Sequence, residues 1–464
     1  MLMRPSTANR DSRLLVWRHV REFAVPPSMI RSATDRRAVG DWAGACAAAR
    51  VDVDLSLRSV AHAHGQELAA RIRTDLRQLA PDLLRWHMPR VAPDGLLRPG
   101  LTVSLARYGP AEGADGDTVH LVARTPPAWA DAGQRISLAL WNGSRPGTGR
   151  GPHPDRRFRL DLHRHLWDSR RAGELRTRAG ADRCPGEQNL AVEPFVPPGH
   201  GYATDRWADE AGLLLRAEGR TTGTVAVRIG GRRRLLLDPT TVGNPTGGSP
   251  GPGITVASAG GRSRGLPVLP DAATWELPDL ALLRAGLIGP ERLHPLVAQA
   301  LVPDRPPADA AHGADGDHVP RLVECRGARH RIGLVDGVLV PLDHDPAEIR
   351  REELLAALTG TPLPCLQAID HAHRHPECLV DVRARLDHGD TAGALAVVEA
   401  VLGPDALLRP GALQDELETA ALRRIRHGLF RAGLAGRINA LARRPDQHRL
   451  RRERRTHPRH ALPR

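Results

Sequence analysis

The sequence predicts an α+β protein with a helical N-terminal region, a β-rich centre of antiparallel hairpins and a helical C-terminal bundle. Three observations predict it. Apolar residues recur at helical spacing before residue 92 and again after 345. Between about 100 and 275 they alternate instead, as a half-buried strand requires. Gly230-Gly231 and Asp336-Gly337 each sit between apolar runs, where a tight hairpin turn needs residues that tolerate positive φ.

The first region spans 10–92. Asp11 can cap a helix carrying Leu14, Leu15, Trp17, Val20 and Phe23, which Pro26 and Pro27 interrupt. A second helix ends at Gly40, and Asp41 can cap a third that begins at Trp42. Leu68, Ile72, Leu76 and Leu79 continue the helical pattern. The second region spans 100–275. Strands are expected at 101–105, 119–123, 136–141, 158–162, 224–229 and 234–237, with one helix near 205–218. The third region spans 276–440. Two short helices precede a hairpin around Asp336-Gly337. Asp345-Pro-Ala-Glu348 then reads as a capping box with Pro at the first helical position. Pro364 and Pro376 open further helices. A last one carries Leu413, Leu417, Ala421, Ile425 and Leu429, with acids first and arginines last, as the helix dipole favours. Linkers or long loops are expected at 143–156, 179–201, 239–265 and 303–318, where Gly and Pro cluster.

Composition excludes more than it suggests. All 66 basic residues are arginine. Without lysine there is no Gly-Lys-Ser/Thr phosphate loop, no protein-kinase strand lysine and no pyridoxal Schiff base. The net charge of +13 lies almost wholly at the ends: +5 in residues 1–37 and +7 in 441–464. A body of nearly neutral charge with basic ends reads as solvated tails, and 441–464 is expected to be a disordered basic tail. The five cysteines form no Cys-x-x-Cys pair, which points to reduced thiols. No apolar run reaches the roughly 18 residues of a spanning helix, and no signal-peptide pattern opens the chain. Cytoplasmic placement without membrane insertion is the expectation.

Two segments echo one another: Gly40-Asp-Trp-Ala-Gly-Ala45 and Gly389-Asp-Thr-Ala-Gly-Ala394. Both resemble the turn inside a tetratricopeptide-type helical hairpin. There a glycine ends one helix, an aspartate caps the next and a small alanine lets the two approach. Trp42 stands at the aromatic position of that turn and Thr391 replaces it in the second copy. The resemblance covers about a tenth of the chain and implies helical hairpins rather than a repeat array. The lysine-free composition resembles that of proteins from high-GC bacteria.

The best chemical candidate is Asp161-x-His163-x-His165. If the strand at 158–162 continues, these three side chains share the face opposite Phe158, Leu160 and Leu162. Two imidazoles and a carboxylate at that period are what a zinc or iron site with an open water position uses. The competing reading is a polar strand face. His371-x-His373-x-His375-x-x-Cys378 is richer, but Pro376 breaks any helix that would align it. His62 and His64 diverge on a helix. The run 242–249 follows a strand, but its proline lacks an N–H for a phosphate cradle.

The sequence thus leads to a non-catalytic binding or scaffold protein of the bacterial cytoplasm, with a protein as the expected partner and no particular cofactor. The alternatives are a metal-dependent hydrolase using Asp161, His163 and His165, and a nucleic-acid-associated protein acting through its arginine-rich termini.

Overall fold

The computed structural model describes residues 5–434 except 110–117, 131–133, 144–152, 184–191, 198, 231–232, 240–252, 258–264, 304–320, 326, 336–337, 360–362, 375–377, 403–407 and 409. The expected basic tail at 441–464 lies outside the described residues. Contacts divide the chain into two units, Met1–Pro307 and Ala308–Arg443.

The first unit opens with helices whose ends follow from local chemistry. α1 (Pro5–Phe23) stops before the two prolines, and α2 (Pro27–Ala38) starts with Pro27, where a missing N–H breaks no helical bond. Gly40 turns the chain at φ +78°, which glycine adopts without strain. Asp41 then caps α3 (Trp42–Ala48), its Oδ1 accepting the Gly44 N–H at 2.8 Å. β1 (Val51–Val53) follows, then α4 (Leu57–His64), α5 (Gln66–Gln78), α6 (Pro81–His87) and a short hairpin of β2 (Arg90–Val91) and β3 (Leu96–Leu97).

β4 (Thr102–Tyr108), β5 (Val119–Arg124) and β6 (Ile136–Trp141) form an antiparallel meander, and β1 adds to β6 in parallel. Leu121, Ala123 and Leu138 of this sheet join one apolar core with Val20, Ile72, Leu76, Leu84 and Trp86 from the helices. Val122, Ala139 and Trp141 point to the other side and make a separate small cluster. β1 was not foreseen, because three residues between two helices carry no readable alternation.

The run expected as a strand at 158–162 is instead a turn. It touches β4 through one isolated bridge, Ser104 to Arg159, and leads into a 3-10 turn at Arg164–Leu166. The alternation of Phe158 and Leu160 is real, since both are buried. Arg159 and Asp161, however, pair with each other, and the backbone closes on itself through Leu162 N–H to Arg159 O and His163 N–H to Leu160 O. Local turn bonds thus win over a ladder.

After α7 (Leu175–Ala179), α8 (Trp207–Ala217) packs on a three-stranded antiparallel sheet of β7 (Val225–Ile229), β8 (Arg233–Asp238) and β9 (Gly253–Ala257). Their joint core holds Trp207, Leu214, Val225, Val227, Leu235 and Leu237. α9 (Asp271–Thr274), α10 (Pro278–Arg284) and α11 (Pro295–Leu301) close the first unit. Leu280, Leu282 and Val297 from the last two return to the main core.

The second unit begins with the antiparallel sheet of β10 (Arg321–Cys325), β11 (Ala328–Val335) and β12 (Val338–Pro341). The expected hairpin is present, β11 pairing with β12, while its Asp-Gly turn falls outside the described residues. α12 (Pro346–Thr359), α13 (Pro364–Arg374), α14 (Leu379–Asp387), α15 (Thr391–Leu402) and α16 (Ala412–Arg431) follow. Between α14 and α15, Gly389 at φ +82° and Asp390 repeat the earlier turn, the Gly393 N–H donating to Asp390 Oδ1 at 3.1 Å. Ala45 and Ala394 are fully buried at the matching position. Helices thus stand at both ends of the chain, with antiparallel hairpin sheets between them.

Candidate functional site

Three places gather side chains with chemistry. The first is the sequence candidate itself, and the structure does not assemble it into a ligand set. Asp161 is held by Arg159 through Nε at 2.8 Å and Nη2 at 2.7 Å. His163 lends Nδ1 to the Arg159 carbonyl at 3.0 Å and faces Glu210 with Nε2 at 3.2 Å. Glu210 also takes two bonds from Arg178, at 2.7 and 2.8 Å. Burial raises the Glu210 carboxyl, but His163 and Arg178 outweigh it and hold the group at about 2. His165 is buried; desolvation, aided by the His163 and Arg178 charges, keeps its ring neutral well below the usual histidine range. The two rings meet edge-on with centroids 5.8 Å apart. This is a buried ion-pair network that ties the turn at 158–166 and α7 to α8. His371 to Cys378 falls largely on residues or side chains outside the described set.

The second is a cavity of about 280 Å³ on the sheet face opposite the main core. β4 supplies Ser104 and Arg107, β5 supplies His120, the turn segment supplies His153, Arg156 and Arg159, and the end of α8 supplies Leu214 and Glu218. Pairing explains the convergence. His120 lies opposite Trp141 in the β5–β6 ladder, so the two share a face, and their rings meet edge-on at 5.3 Å. A bulge between Ser104 and Ala106 lets the Ser104 hydroxyl reach His120 Nδ1 at 3.0 Å. His153 packs on the same indole at 4.7 Å.

The cavity's charge is positive. Arg107 and Arg159 both donate to Glu218 Oε1, at 3.0 and 2.7 Å. Burial raises Glu218, but those two guanidinium groups reverse the shift and keep it ionised. Arg156 is exposed and has no carboxylate partner among the described residues. Desolvation, together with Arg107 and Arg159, pushes His120 down to about 4, so its ring is neutral at pH 7. Arg107, Arg156 and Arg159 stand against Glu218 and the Asp161 that also holds Arg159, which leaves one formal positive charge on a wall also lined by Leu214, Pro267 and Val268. Sequence reasoning missed this site. Its residues come from five segments, and only the Arg-rich turn at 156–159 could have signalled it.

The third is a cluster of Cys325, His344 and Cys365 in the second unit. Comparison with family models, curated proteins and solved structures finds no match for the chain. Among the described residues no helix is long and apolar enough to cross a membrane.

Proposed function

We propose that the chain is a non-catalytic binding protein whose first unit takes a small organic anion, bearing a phosphate or carboxylate group, into the cavity beneath Arg156. The supporting observation is the charge arrangement. Arg107 and Arg159 are pre-positioned by a shared carboxylate, and Arg156 adds a further guanidinium to the same wall. A planar guanidinium presents paired donors to an oxyanion, and ordering it before binding reduces the entropy lost on association. Leu214, Pro267 and Val268 provide apolar surface for the remainder of such a ligand. Asp161 and His163 take part in the adjacent ion-pair network and the neutral His165 ring packs edge-on against His163, which supports a scaffold role for them rather than a hydrolytic one.

Thermal unfolding in a panel of phosphate, pyrophosphate, citrate and nucleoside monophosphates tests this reading. At least one anion should raise the first unit's transition by several degrees at millimolar concentration, and Arg156→Ala should remove the rise. A panel without effect on the wild type would refute it.

A protein partner remains favoured by one further observation. On α12, Leu354 and Leu358 are 64% and 85% exposed, one helical turn apart. Crosslinking in cells should capture a partner through this face, and Leu354→Glu/Leu358→Glu should abolish the product.

A further inference from the structure

The register of the second unit's sheet places unusual chemistry on one face. Val323 and Cys325 are two apart on β10 and therefore point the same way. Val323 pairs with His330 of β11, so His330 joins that face. α13 covers it and delivers Cys365, its second residue, against Cys325, Leu363 and Val323. His344, three residues beyond β12, turns in with its side chain only 4% exposed and brings Nε2 to 3.7 Å from Cys365 Sγ. The donor atoms of Cys325, His344 and Cys365 all lie within 4.8 Å of one another.

These separations suit one ion. With Zn–S about 2.3 Å and Zn–N about 2.0–2.1 Å, the edges of a tetrahedron run roughly 3.3–3.8 Å. The His344–Cys365 edge of 3.7 Å already falls in that range. A fourth nitrogen lies next to the cluster: His330 stacks on His344 with centroids 4.1 Å apart, its Nδ1 is buried without a hydrogen-bond partner among the described residues, and a turn of its ring would bring a nitrogen to the ion. Glu348 Oε2 lies 3.7 Å from His344 Nδ1, on the side away from the thiols. A carboxylate there is the usual means of fixing a ligating imidazole.

Two other readings use fewer of these atoms. A cysteine nucleophile would employ Cys365 with His344 but leave Cys325 without a role. Cys365 is also fully buried, whereas a reactive thiol needs access for its substrate. A plain apolar core explains two buried thiols but not two imidazoles among them, one with an orphaned nitrogen.

We propose that Cys325, Cys365 and His344 bind one zinc ion, with His330 as the fourth ligand, and that the ion fastens the β10–β11 hairpin to α13. Binding converts both thiols to thiolates and releases their two protons to solvent. Two thiolates then neutralise the divalent cation, so the buried centre carries no net charge. Four protein ligands and no open position make it a structural centre.

The full chain, purified without chelator and dialysed, should contain about one zinc per molecule by plasma mass spectrometry. Cobalt should replace it with the visible bands of a tetrahedral centre and a thiolate charge-transfer band. Cys325→Ser/Cys365→Ser should bind neither ion, and His330→Ala should weaken cobalt binding at least tenfold. Because the double variant could fail to fold, chelator treatment of the wild type provides the second measurement. It should lower the second unit's melting transition and make Cys365 reactive to iodoacetamide, both reversed by zinc. Wild-type protein that takes up neither zinc nor cobalt, or that forms a Cys325–Cys365 disulfide or alkylates rapidly at Cys365 as purified, would overturn the proposal.

Discussion

Replacing Asp279 with alanine should be among the most damaging single changes in the first unit. Its carboxylate accepts from Arg21 Nε at 2.8 Å, Arg21 Nη2 at 2.6 Å and Trp86 Nε1 at 2.9 Å. The Arg21 and Asp279 side chains are 1% and 0% exposed. The same guanidinium donates to the Trp86 carbonyl and lies over the Trp86 ring, so α1, α6 and α10 meet at this pair. Removing one member leaves the other charge buried and unpaired, which costs roughly 3–5 kcal/mol. Replacing both, as Arg21→Met/Asp279→Leu, removes the stranded charge and should recover most of that loss. The assay is simple, because all eight tryptophans precede residue 308 and tryptophan fluorescence therefore reports the first unit alone. Urea denaturation should show a large drop in midpoint for Asp279→Ala, with the slope retained, and a partial return for the double variant. An Asp279→Ala loss below about 1 kcal/mol, or a double variant as poor as the single, would refute the argument from an uncompensated buried charge.

Other predictions concern pH and the helical hairpins. His87 is partly buried with its Nε2 shut off from solvent, and desolvation lowers its ring to about 3, against an ordinary value of 6.5; the nearby Arg21 and His294 charges lower it further, while Asp279 opposes them. A depressed histidine is neutral in both states above pH 6.5, and the unfolded chain gains the proton first as pH falls. Its stabilisation is therefore present at pH 7 and lost between about 6.5 and 3, with roughly 2 kcal/mol gone by pH 5. His120 and His165 act in the same direction. Fluorescence-detected urea midpoints at pH 7 and 5 should differ accordingly, and His87→Phe should shrink the difference; a flat profile would contradict the neutral buried rings. Asp390→Ala should cost the second unit about 1 kcal/mol through the lost bond to the Gly393 N–H, seen by circular dichroism. Asp41→Ala should weaken the first unit in the same way, and unchanged midpoints for both would remove the cap as the reason for the shared Gly-Asp turn.

What the sequence revealed depended on how local the signal was. Gly40-Asp41 and Gly389-Asp390 state their turn completely, because the glycine conformation, the capping oxygen and the small alanine all lie within six residues. The strands β4, β5 and β6 were likewise readable from alternation, and the β11–β12 hairpin from Asp336-Gly337 between apolar runs. The turn at 158–162 was not. Its alternation matched a strand, yet Arg159 and Asp161 satisfy each other and the backbone bonds within the segment. The candidate metal set of Asp161, His163 and His165 depends on a shared strand face, and the turn replaces that alignment with pairing of Asp161 to Arg159 and of His163 to Glu210. Neither the cavity nor the thiol cluster has a linear motif. Ser104, His120 and Arg159 converge through sheet register and a bulge, and Cys325 and Cys365 are brought together by a helix crossing a sheet face. A search for closely spaced cysteines could not see them.

Calorimetric titration shows whether the Arg156 cavity holds an organic anion. The most stabilising anion of the panel, titrated into wild-type protein, should bind with one-to-one stoichiometry. The affinity should fall as salt rises, because the contacts are between charges. Arg156→Ala should weaken binding ten- to a hundredfold, the roughly 1.5–3 kcal/mol of a charged hydrogen bond, while leaving the urea midpoint unchanged. Binding that survives Arg156→Ala with the same affinity, or no binding heat for any anion tested, would contradict the account.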